Sequence, residues 1–576
     1  MSLEALTQEI NTRFPDVAPD AKLVAECVAV CQNYNITPEE LQYKWEAFNF
    51  KPSATRSEIS PYTMDSLSAL KVQIHRDMTS KSAQKEQPRS SLVATINRGA
   101  FRNRNPGPKL APVHVKVEPT DGFGMVGIAG PSKVSFRGLK NDAPSRKKRA
   151  YRYMHETPSD RGDVLDQKID EFATLIKNQY SISDLGDPSS STSDDITVVG
   201  RITHDSDSTE EASKLTEGSI ALESARSMGN GQRIALRFDW NLKIRGGAQG
   251  SGGTVFYPGA LVALRGKNGG GGYFQVSEVL IPPPLKPSVA VKPDARIDDS
   301  AFSMFIASGP YTPESDLGFK PWRALLQKIN AAKPTIVLLL GPFVDTLHPL
   351  IKSGDVDSTP LNLFRTRFTD PLRAYLDSMP GSIAILIPSV RDLISDHAVF
   401  PQSELPSELS RADPRIHLLP NPASFTINDI TFGATSVDVL FHMKKGEFLK
   451  RGEEVDPTPA VSADDSCTDP IANACRQLLQ QRSFYPVFPV PLELSAEVNL
   501  DVTHSSGLKV GDDEELAPDV LIVPSRFKQF SKTVYATTVL NPSFLSKGSY
   551  VVLDVGAGST GGVKERLSPR VLKLDS

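Results

Sequence analysis

The chain has 576 residues, with 64 Lys+Arg against 68 Asp+Glu and a formal net charge of −4 at pH 7. That balance excludes a protein that coats nucleic acid by bulk electrostatics. The four cysteines include no Cys-x-x-Cys pair, which excludes a disulfide scaffold and a zinc ribbon.

The length corresponds to about three to five domains. Hydrophobic residues make up 39 %, and 45 prolines with 39 glycines assign part of the chain to linker. No apolar run approaches the ~18–20 residues of a membrane span. The start, MSLEALTQEI, lacks the basic-then-apolar order of a secretory signal. A soluble, multidomain protein of a reducing compartment is expected.

Residues 1–78 read as a helical N-terminal docking domain. Leu3, Leu6, Ile10 and Phe14 recur at helical spacing behind Ser2, and Leu23, Val24, Cys27, Val28 and Cys31 form a second apolar face. Thr37-Pro38-Glu39-Glu40 is a capping-box start, followed by Leu41, Trp45 and Phe48 on one face. Leu67, Leu70 and Ile74 predict a fourth helix. Cys27 and Cys31, one turn apart, read as core packing.

Residues 79–155 lose periodicity and read as a flexible basic linker, because isolated apolar residues cannot offset chain entropy. Near its end stands Arg146-Lys147-Lys148-Arg149, a candidate nuclear import signal. Residues 156–290 open on a helix from Val164 to Tyr180 and continue as short strands between Gly-rich connectors. Ile234, Leu236, Phe238 and Trp240 alternate with Ala235, Arg237 and Asp239, the pattern of a half-buried strand. An OB-type β-barrel is expected. Phe238 and Trp240 share the parity of Ile234 and Leu236, so both are assigned to the core, and direct DNA contact is expected to be weak or indirect.

Residues 291–576 alternate apolar runs with helical stretches. The runs are Met304–Ala307, Ile336–Leu340, Ile383–Ile387, Ile430–Phe432, Val520–Val523 and Val551–Val555; the helices are Trp322–Ile329, Phe364–Leu376 and Ile471–Gln480. The expected fold is a layered α/β domain, whose strand ends are where sites form.

A two-metal hydrolase on such a sheet holds two ions about 3.5–4 Å apart with carboxylates and imidazoles. Metallophosphoesterases supply them as Asp-x-His, Gly-Asp-x-x-Asp, Gly-Asn-His-Asp/Glu and Gly-His-x-His. Here the first strand ends in Ala307-Ser308-Gly309-Pro310, and the second in Gly341-Pro342-Phe343-Val344-Asp345. The third ends in Pro388-Ser389-Val390-Arg391-Asp392, and the fifth in Val523-Pro524-Ser525-Arg526. Proline cannot ligate and a serine hydroxyl is a poor ligand. Ser308, Pro310, Pro342, Asp345, Ser389, Asp392, His442 and Ser525 are therefore read as degenerate former metal-site positions. Asp345 and Asp392 are expected to be turn or cap residues. No catalytic residue, metal or cofactor is expected.

The phrases FIASGPYT, LLLGPFVD, ILIPSVRD, FGATSVDVLFHM, FYPVFPVP and APDVLIVPSRF, with RKKRAYRYM, LRFDW and YPGALVALRGKN upstream, stand in one order over most of residues 145–576. In these the chain resembles the B-subunit family of the DNA polymerase alpha–primase complex. The resemblance implies a multidomain α+β protein: a helical bundle, a flexible linker, an OB barrel, and at 291–576 an inactive calcineurin-like phosphoesterase domain. It implies a nuclear, non-catalytic accessory subunit. The implied partners are the zinc-bearing C-terminal region of the polymerase catalytic subunit, the primase subunits, and other replication factors at the N-terminal domain.

The rival expectations are an accessory subunit of another replicative polymerase, an active metal-dependent phosphoesterase, and an autonomous single-strand binder. Ser60-Pro61, Thr157-Pro158 and Ser568-Pro569 are sites for proline-directed kinases, and Ser60 and Thr157, in or beside the linker, are the candidate phosphosites.

Overall fold

In a computed structural model the chain forms two units, residues 1–120 and 121–576. The structure describes residues 3–14, 19–34, 37–51, 58, 59, 63, 64, 67, 70, 71, 132–139, 157–205, 214–288, 300–459, 467–511, 515–557 and 562–574. Ser60 and Arg146, Lys147, Lys148 and Arg149 lie outside these residues.

The first unit contains helices α1 (Leu3–Arg13), α2 (Ala21–Tyr34) and α3 (Pro38–Asn49) and a hairpin of β1 (Phe50–Lys51) and β2 (Glu58–Ile59). Leu6, Ile10 and Phe14 meet Leu23, Val24, Cys27, Val28 and Cys31, with Leu41 and Trp45 closing the core. α3 starts at Pro38, as the Thr-Pro-Glu signal requires. Leu67 and Leu70 are helical and buried in the same core; Ile74 lies outside the described residues. Burial pushes the Cys27 thiol up to about 12 and the Cys31 thiol up to about 11, which keeps both uncharged in the core.

The second unit opens inside the expected linker. β3 (Phe136–Arg137) pairs with a strand nearly 300 residues downstream, and Ser135 N–H donates to Asn428 Oδ1 across 293 positions. Val134 is buried, and the Phe136 ring stacks on His417 at 4.2 Å between centroids. Residues 132–139 thus dock on the second sheet, with β3 as its edge strand, and are not tether. Only two of their apolar side chains, Val134 and Phe136, pack inward, too few to signal this locally, and the long-range partner supplies the burial.

Helix α4 (Pro158–Tyr180) starts six residues before the apolar pattern begins. The cause is a full capping box: Asp160 N–H donates to Thr157 Oγ1 at 3.3 Å, and Thr157 N–H donates to Asp160 Oδ2 at 2.7 Å. Thr157 is exposed there, with Pro158 at the first helical position. Ile169, Phe172, Ala173 and Ile176 pack the helix on the barrel at Val199, Ala225, Ala263 and Leu280. Tyr180 O–H donates to Ile281 O at 2.6 Å and ties the helix end down.

The barrel strands are β4 (Ile196–His204), β5 (Ile220–Glu223), β6 (Arg233–Arg245), β8 (Leu261–Lys267) and β9 (Tyr273–Leu280), with β7 (Gly253–Phe256) between β6 and β8. They close in the order β4-β5-β6-β9-β8-β4; only β6 and β9 run parallel. This is a five-stranded barrel of OB type. Between Phe238 and Lys243 the register of β6 against β9 shifts. The bulge overturns one expectation: Phe238 faces inward against Phe256, but Trp240 is 96 % exposed. A strict period of two carried through the bulge puts Trp240 on the wrong side.

The rest is a two-sheet sandwich with helices outside. One sheet has β13 (Ile416–Leu418), β12 (Ile383–Ile387), β11 (Ile336–Leu340), β10 (Phe302–Ser308), β21 (Ser549–Val555) and β22 (Leu567–Lys573), in that order. The other runs β19 (Phe530–Val534), β20 (Thr537–Asn541), β18 (Val520–Ile522), β15 (Ile430–Ala434), β14 (Ala423–Ile427), β3. The first sheet is buried on both faces, as a layered α/β domain requires; a second sheet covers its inner face, where Met304, Leu338 and Ile385 meet Phe432, Ile522 and Leu540.

Helices α5 (Lys320–Ala332) and α6 (Asp370–Ser378) cover the first sheet, and α7 (Val439–Gly446) and α8 (Pro470–Gln480) lie between the second sheet and the barrel. After α7, β16 (Phe448–Arg451) pairs with β7, and β17 (Glu453–Val455) extends the barrel beside β6. The barrel interior and the outer face of the second sheet form one continuous apolar core.

Candidate functional site

The ends of β10, β11, β12, β15 and β18 converge. The positions that the sequence singles out there are buried or part-buried and bonded inward. Ser308 is buried at the end of β10, with its hydroxyl 3.4 Å from Gly309 O. Past Pro310, Tyr311 turns back and donates its hydroxyl to Leu340 O at 2.9 Å and Ala307 O at 3.2 Å. Its ring stacks on Phe343 at 5.4 Å and meets Phe368 and Trp322 edge-on. Aromatic packing therefore fills the space behind Pro342.

Gly309 and Gly341 permit close approach of the two strand-end loops. A Cβ on Gly309 would stand 2.0 Å from Pro342 O, and one on Gly341 would stand 2.2 Å from Asp392 Oδ2.

Asp392 is buried and acts as a clamp between loops. Oδ1 accepts the N–H groups of Phe343 and Val344, the latter at 3.1 Å, and Oδ2 accepts Ser389 N–H at 2.8 Å. Burial pushes its carboxyl up to about 7, against the opposing pull of those three donors. Asp345, expected as a turn residue, does accept Leu347 N–H at 3.0 Å. Its carboxylate is also engaged on both oxygens by Arg391, with Nε to Oδ1 at 3.0 Å and Nη2 on Oδ2. The two aspartates face one another across an antiparallel bridge.

A second cluster sits at the ends of β15 and β18. Asp438 caps α7 by accepting Phe441 N–H at 3.2 Å. Its Oδ2 accepts Arg526 N–H at 2.8 Å and Arg526 Nε–H at 3.1 Å. The Arg526 guanidinium also pairs with Glu497 and covers the Phe441 ring at 4.1 Å. His442 is fully buried: Nδ1 is 2.8 Å from Tyr485 Oη, and Nε2 lies 3.5 Å from Glu497 Oε2 with no nearer partner. The imidazole first, then Arg526 and Arg391, hold the Glu497 carboxyl below the usual range.

Ser525 is buried, with its N–H given to Asn541 Oδ1 at 2.9 Å. Gln402 and Asn421 complete the polar floor. Gln402 Nε2 donates to Ser389 O at 3.0 Å, Ser395 Oγ at 2.8 Å and His397 O at 2.9 Å, and Asn421 Nδ2 donates to Ser436 Oγ at 2.8 Å.

A binuclear metal centre does not fit these residues. Asp345 is occupied by a guanidinium, Asp392 by backbone N–H groups, and His442 faces Tyr485 and Glu497. Pro342 and Ser308 offer no competent donor. Two arginines, Arg391 and Arg526, stand as the counter-cations of the retained carboxylates. Among the described residues no group of three or more His, Cys, Asp or Glu is placed to hold a metal, and no helix is long and apolar enough to cross a membrane.

Sequence reasoning puts Asp345, Asp392 and His442 at strand ends and gives both aspartates their local backbone bonds, to Leu347 and Ser389, but misses the Arg391 pair, the clamp on Phe343 and Val344, and the contact of His442 with Tyr485. Arg391 and Arg526 stand in the motifs SVRD and PSRF, where a charged residue at a strand end is the available signal. Glu497, Tyr485, Gln402 and Asn421 carry none.

The family of the B subunits of DNA polymerases alpha and epsilon matches residues 304–532. The family of the OB domain of the DNA polymerase alpha B subunit matches residues 162–281. The chain is 32 % identical over 406 residues to the DNA polymerase alpha B subunit of Schizosaccharomyces pombe, covering 69 % of this chain and 66 % of that one. It is 28 % identical over 487 residues to the Saccharomyces cerevisiae protein of the same description, covering 76 % and 65 %. For the Bos taurus protein the identity is 28 % over 418 residues, covering 71 % and 61 %. The chain thus spans slightly under two thirds of the length of these relatives. Among solved structures, TT1561 of Thermus thermophilus aligns over 48 % of this chain and 100 % of its own at 10 % identity and a TM-score of 0.23, too slight a likeness to build on.

Proposed function

The chain belongs to the DNA polymerase alpha B-subunit family, and from that premise we propose that it is a non-catalytic accessory subunit in DNA replication. It holds the C-terminal, zinc-bearing region of the polymerase catalytic subunit, and through it the primase subunits, so that primer synthesis occurs in one assembly. The helical first unit recruits other replication factors, and the protein works in the nucleus. The proposed domain limits remain 1–78, 79–155, 156–290 and 291–576, with residues 132–139 reassigned to the sandwich and 448–455 lent to the barrel.

One observation carries the non-catalytic reading: Asp345–Arg391 and Asp438–Arg526–Glu497 neutralise the strand-end carboxylates internally. A hydrolase needs those carboxylates free for ions that polarise the scissile phosphate. The degenerate positions Ser308, Pro310, Pro342, Asp345, Ser389, Asp392, His442 and Ser525 are on this reading structural, and Thr157 and Ser60 are proposed regulatory phosphosites.

The test is affinity purification of the tagged chain from dividing cells, with stoichiometry by quantitative mass spectrometry. Equimolar recovery of the polymerase alpha catalytic subunit and both primase subunits is expected. Recovery alone as a monomer, with phosphodiester hydrolysis that needs added Mn²⁺ and is lost in Asp345→Asn, would sink the proposal.

A further inference from the structure

The barrel carries a feature that the scaffold reading does not use. The β6 bulge lifts Trp240 off the barrel, leaving it 96 % exposed, whereas Trp45 and Trp322, the other two tryptophans, are 0 % and 1 % exposed. On the outer face of β6 and β9, Tyr273 stands opposite Ala235 and is 40 % exposed. The loop leading into Tyr273 contains Gly269 and Gly272, where nothing lies within 4 Å of an added Cβ.

Three exposed cations line the same wall. Lys267 and Arg237 both stand opposite Gln275, one on each flanking strand, and Lys243 follows the bulge. None of the three is in an ion pair among the described residues. Arg233 and Arg265 add partly shared charge, 3.9 Å from Glu223 and 4.0 Å from Glu278. Of the acids on the wall, Asp239 is engaged by the Gln275 amide, and exposed Glu453 stands opposite Lys243 across the β17–β6 register, so Arg237 and Lys267 are the cations farthest from counter-charge. Lys450 lies over the Phe238 ring at 5.3 Å and is paired with Glu217.

Exposed aromatic faces and unpaired cations on the same outer wall of an OB barrel, formed by β6, β9 and β8, fit a strand whose bases stack and whose phosphates need counter-charge. We infer that the outer wall of β6, β9 and β8, centred on Trp240, Tyr273, Arg237 and Lys267, binds single-stranded nucleic acid. This goes beyond the accessory role and does not depend on it. A chain of net charge −4 lacks a bulk field for such binding, so the affinity must come from local clusters such as this wall, and the Trp240 readout separates it from the basic stretch at 146–149.

Trp240 reports its own occupancy, because it is the tryptophan open to aqueous iodide. The experiment titrates the full chain with an oligothymidylate and, separately, an oligouridylate of about 12 nucleotides, and reads the iodide-quenchable emission at several salt concentrations. Expected is quenching by one or both oligomers. The salt slope is about −2 in log–log form for three neutralised phosphates, and is shallower by about 0.7 in Arg237→Ala. Trp240→Ala, which removes no buried contact, weakens binding by roughly tenfold or more, measured by oligomer anisotropy, and Trp240→Phe restores part of it. The difference between the two oligomers tells DNA from RNA. Affinity unchanged in Trp240→Ala would overturn the inference. So would a Trp240 emission that ignores both oligomers and responds to the polymerase catalytic subunit, which would make the indole a protein anchor.

Discussion

Replacing Arg391 by methionine removes the only cation on Asp345 among the described residues while keeping most of the side-chain volume. The Asp345 side chain is 8 % exposed, and both its oxygens are held by the guanidinium. Two unit charges about 4 Å apart at an effective dielectric of about 20 interact by about 4 kcal/mol. Losing one partner of a buried pair leaves the other uncompensated, at about 3–5 kcal/mol. Arg391 is partly open to water, which favours the low end, so about 3 kcal/mol is expected for Arg391→Met. At about 2 °C per kcal/mol for a body of this size, the thermal midpoint should fall by about 6 °C.

Asp345→Asn alone also destabilises, but the double variant should recover about 2 kcal/mol relative to the sum of the singles. Denaturant unfolding of the four proteins, followed by tryptophan emission from buried Trp322, measures the cycle. Additive single effects would refute the claim that Arg391 neutralises Asp345. A gain of Mn²⁺-dependent phosphodiesterase activity in Arg391→Met would refute the non-catalytic reading instead, because Asp345 would then be a ligand that Arg391 holds in check.

Gly341→Ala should cost more than about 2 kcal/mol, since its Cβ would meet Asp392 Oδ2 at 2.2 Å and Ser389 N at 2.6 Å, both fixed by the clamp; urea midpoints measure it, and a neutral result would show that the loops are free to separate. His417→Phe tests a pH effect. Burial beneath Phe136 pulls the His417 imidazole down to about 4, so the folded state binds fewer protons than the unfolded one between about pH 6.5 and pH 4. The stability contribution is complete above pH 6.5 and is lost as pH falls through that window, by up to about 3 kcal/mol; the variant should flatten the slope of stability against pH there, and an unchanged slope would assign it to other groups. Deleting residues 447–458 takes β16 from β7 and β17 from β6, and should leave the barrel edge prone to association, visible as a concentration-dependent sedimentation coefficient; a monodisperse product would show the barrel to be self-sufficient.

The strand-end arrangement explains how an α/β sandwich can keep a converging set of loops without a metal to hold them. Ions in a hydrolase site neutralise carboxylates and fix loop geometry together. Here the guanidinium groups of Arg391 and Arg526 do the first. The Asp392 clamp, the Gln402 and Asn421 amides and the Tyr311 stack do the second. These groups bond to one another across the loops, so the region is a polar core rather than a vacated cavity.

Periodicity and punctuation are local, and where they governed the outcome the sequence was sufficient. The six apolar runs from Met304 to Val555 are strands, Pro38 and Pro470 open helices, and Pro342 and Ser525 stand just past strand ends. What joins distant segments left no local mark. Arg391 meets Asp345 across 46 positions, Arg526 meets Asp438 across 88 and Glu497 across 29. Val134 and Phe136 read as isolated apolar residues in a polar stretch until β14 pairs with β3. Trp240 has the parity of a core residue, and only the bulge against β9 turns it outward. The sequence alone determined most of the elements, because these depend on residue type and spacing. Tertiary structure alone decided which charges compensate which and which aromatic faces water, because register and long-range pairing set those.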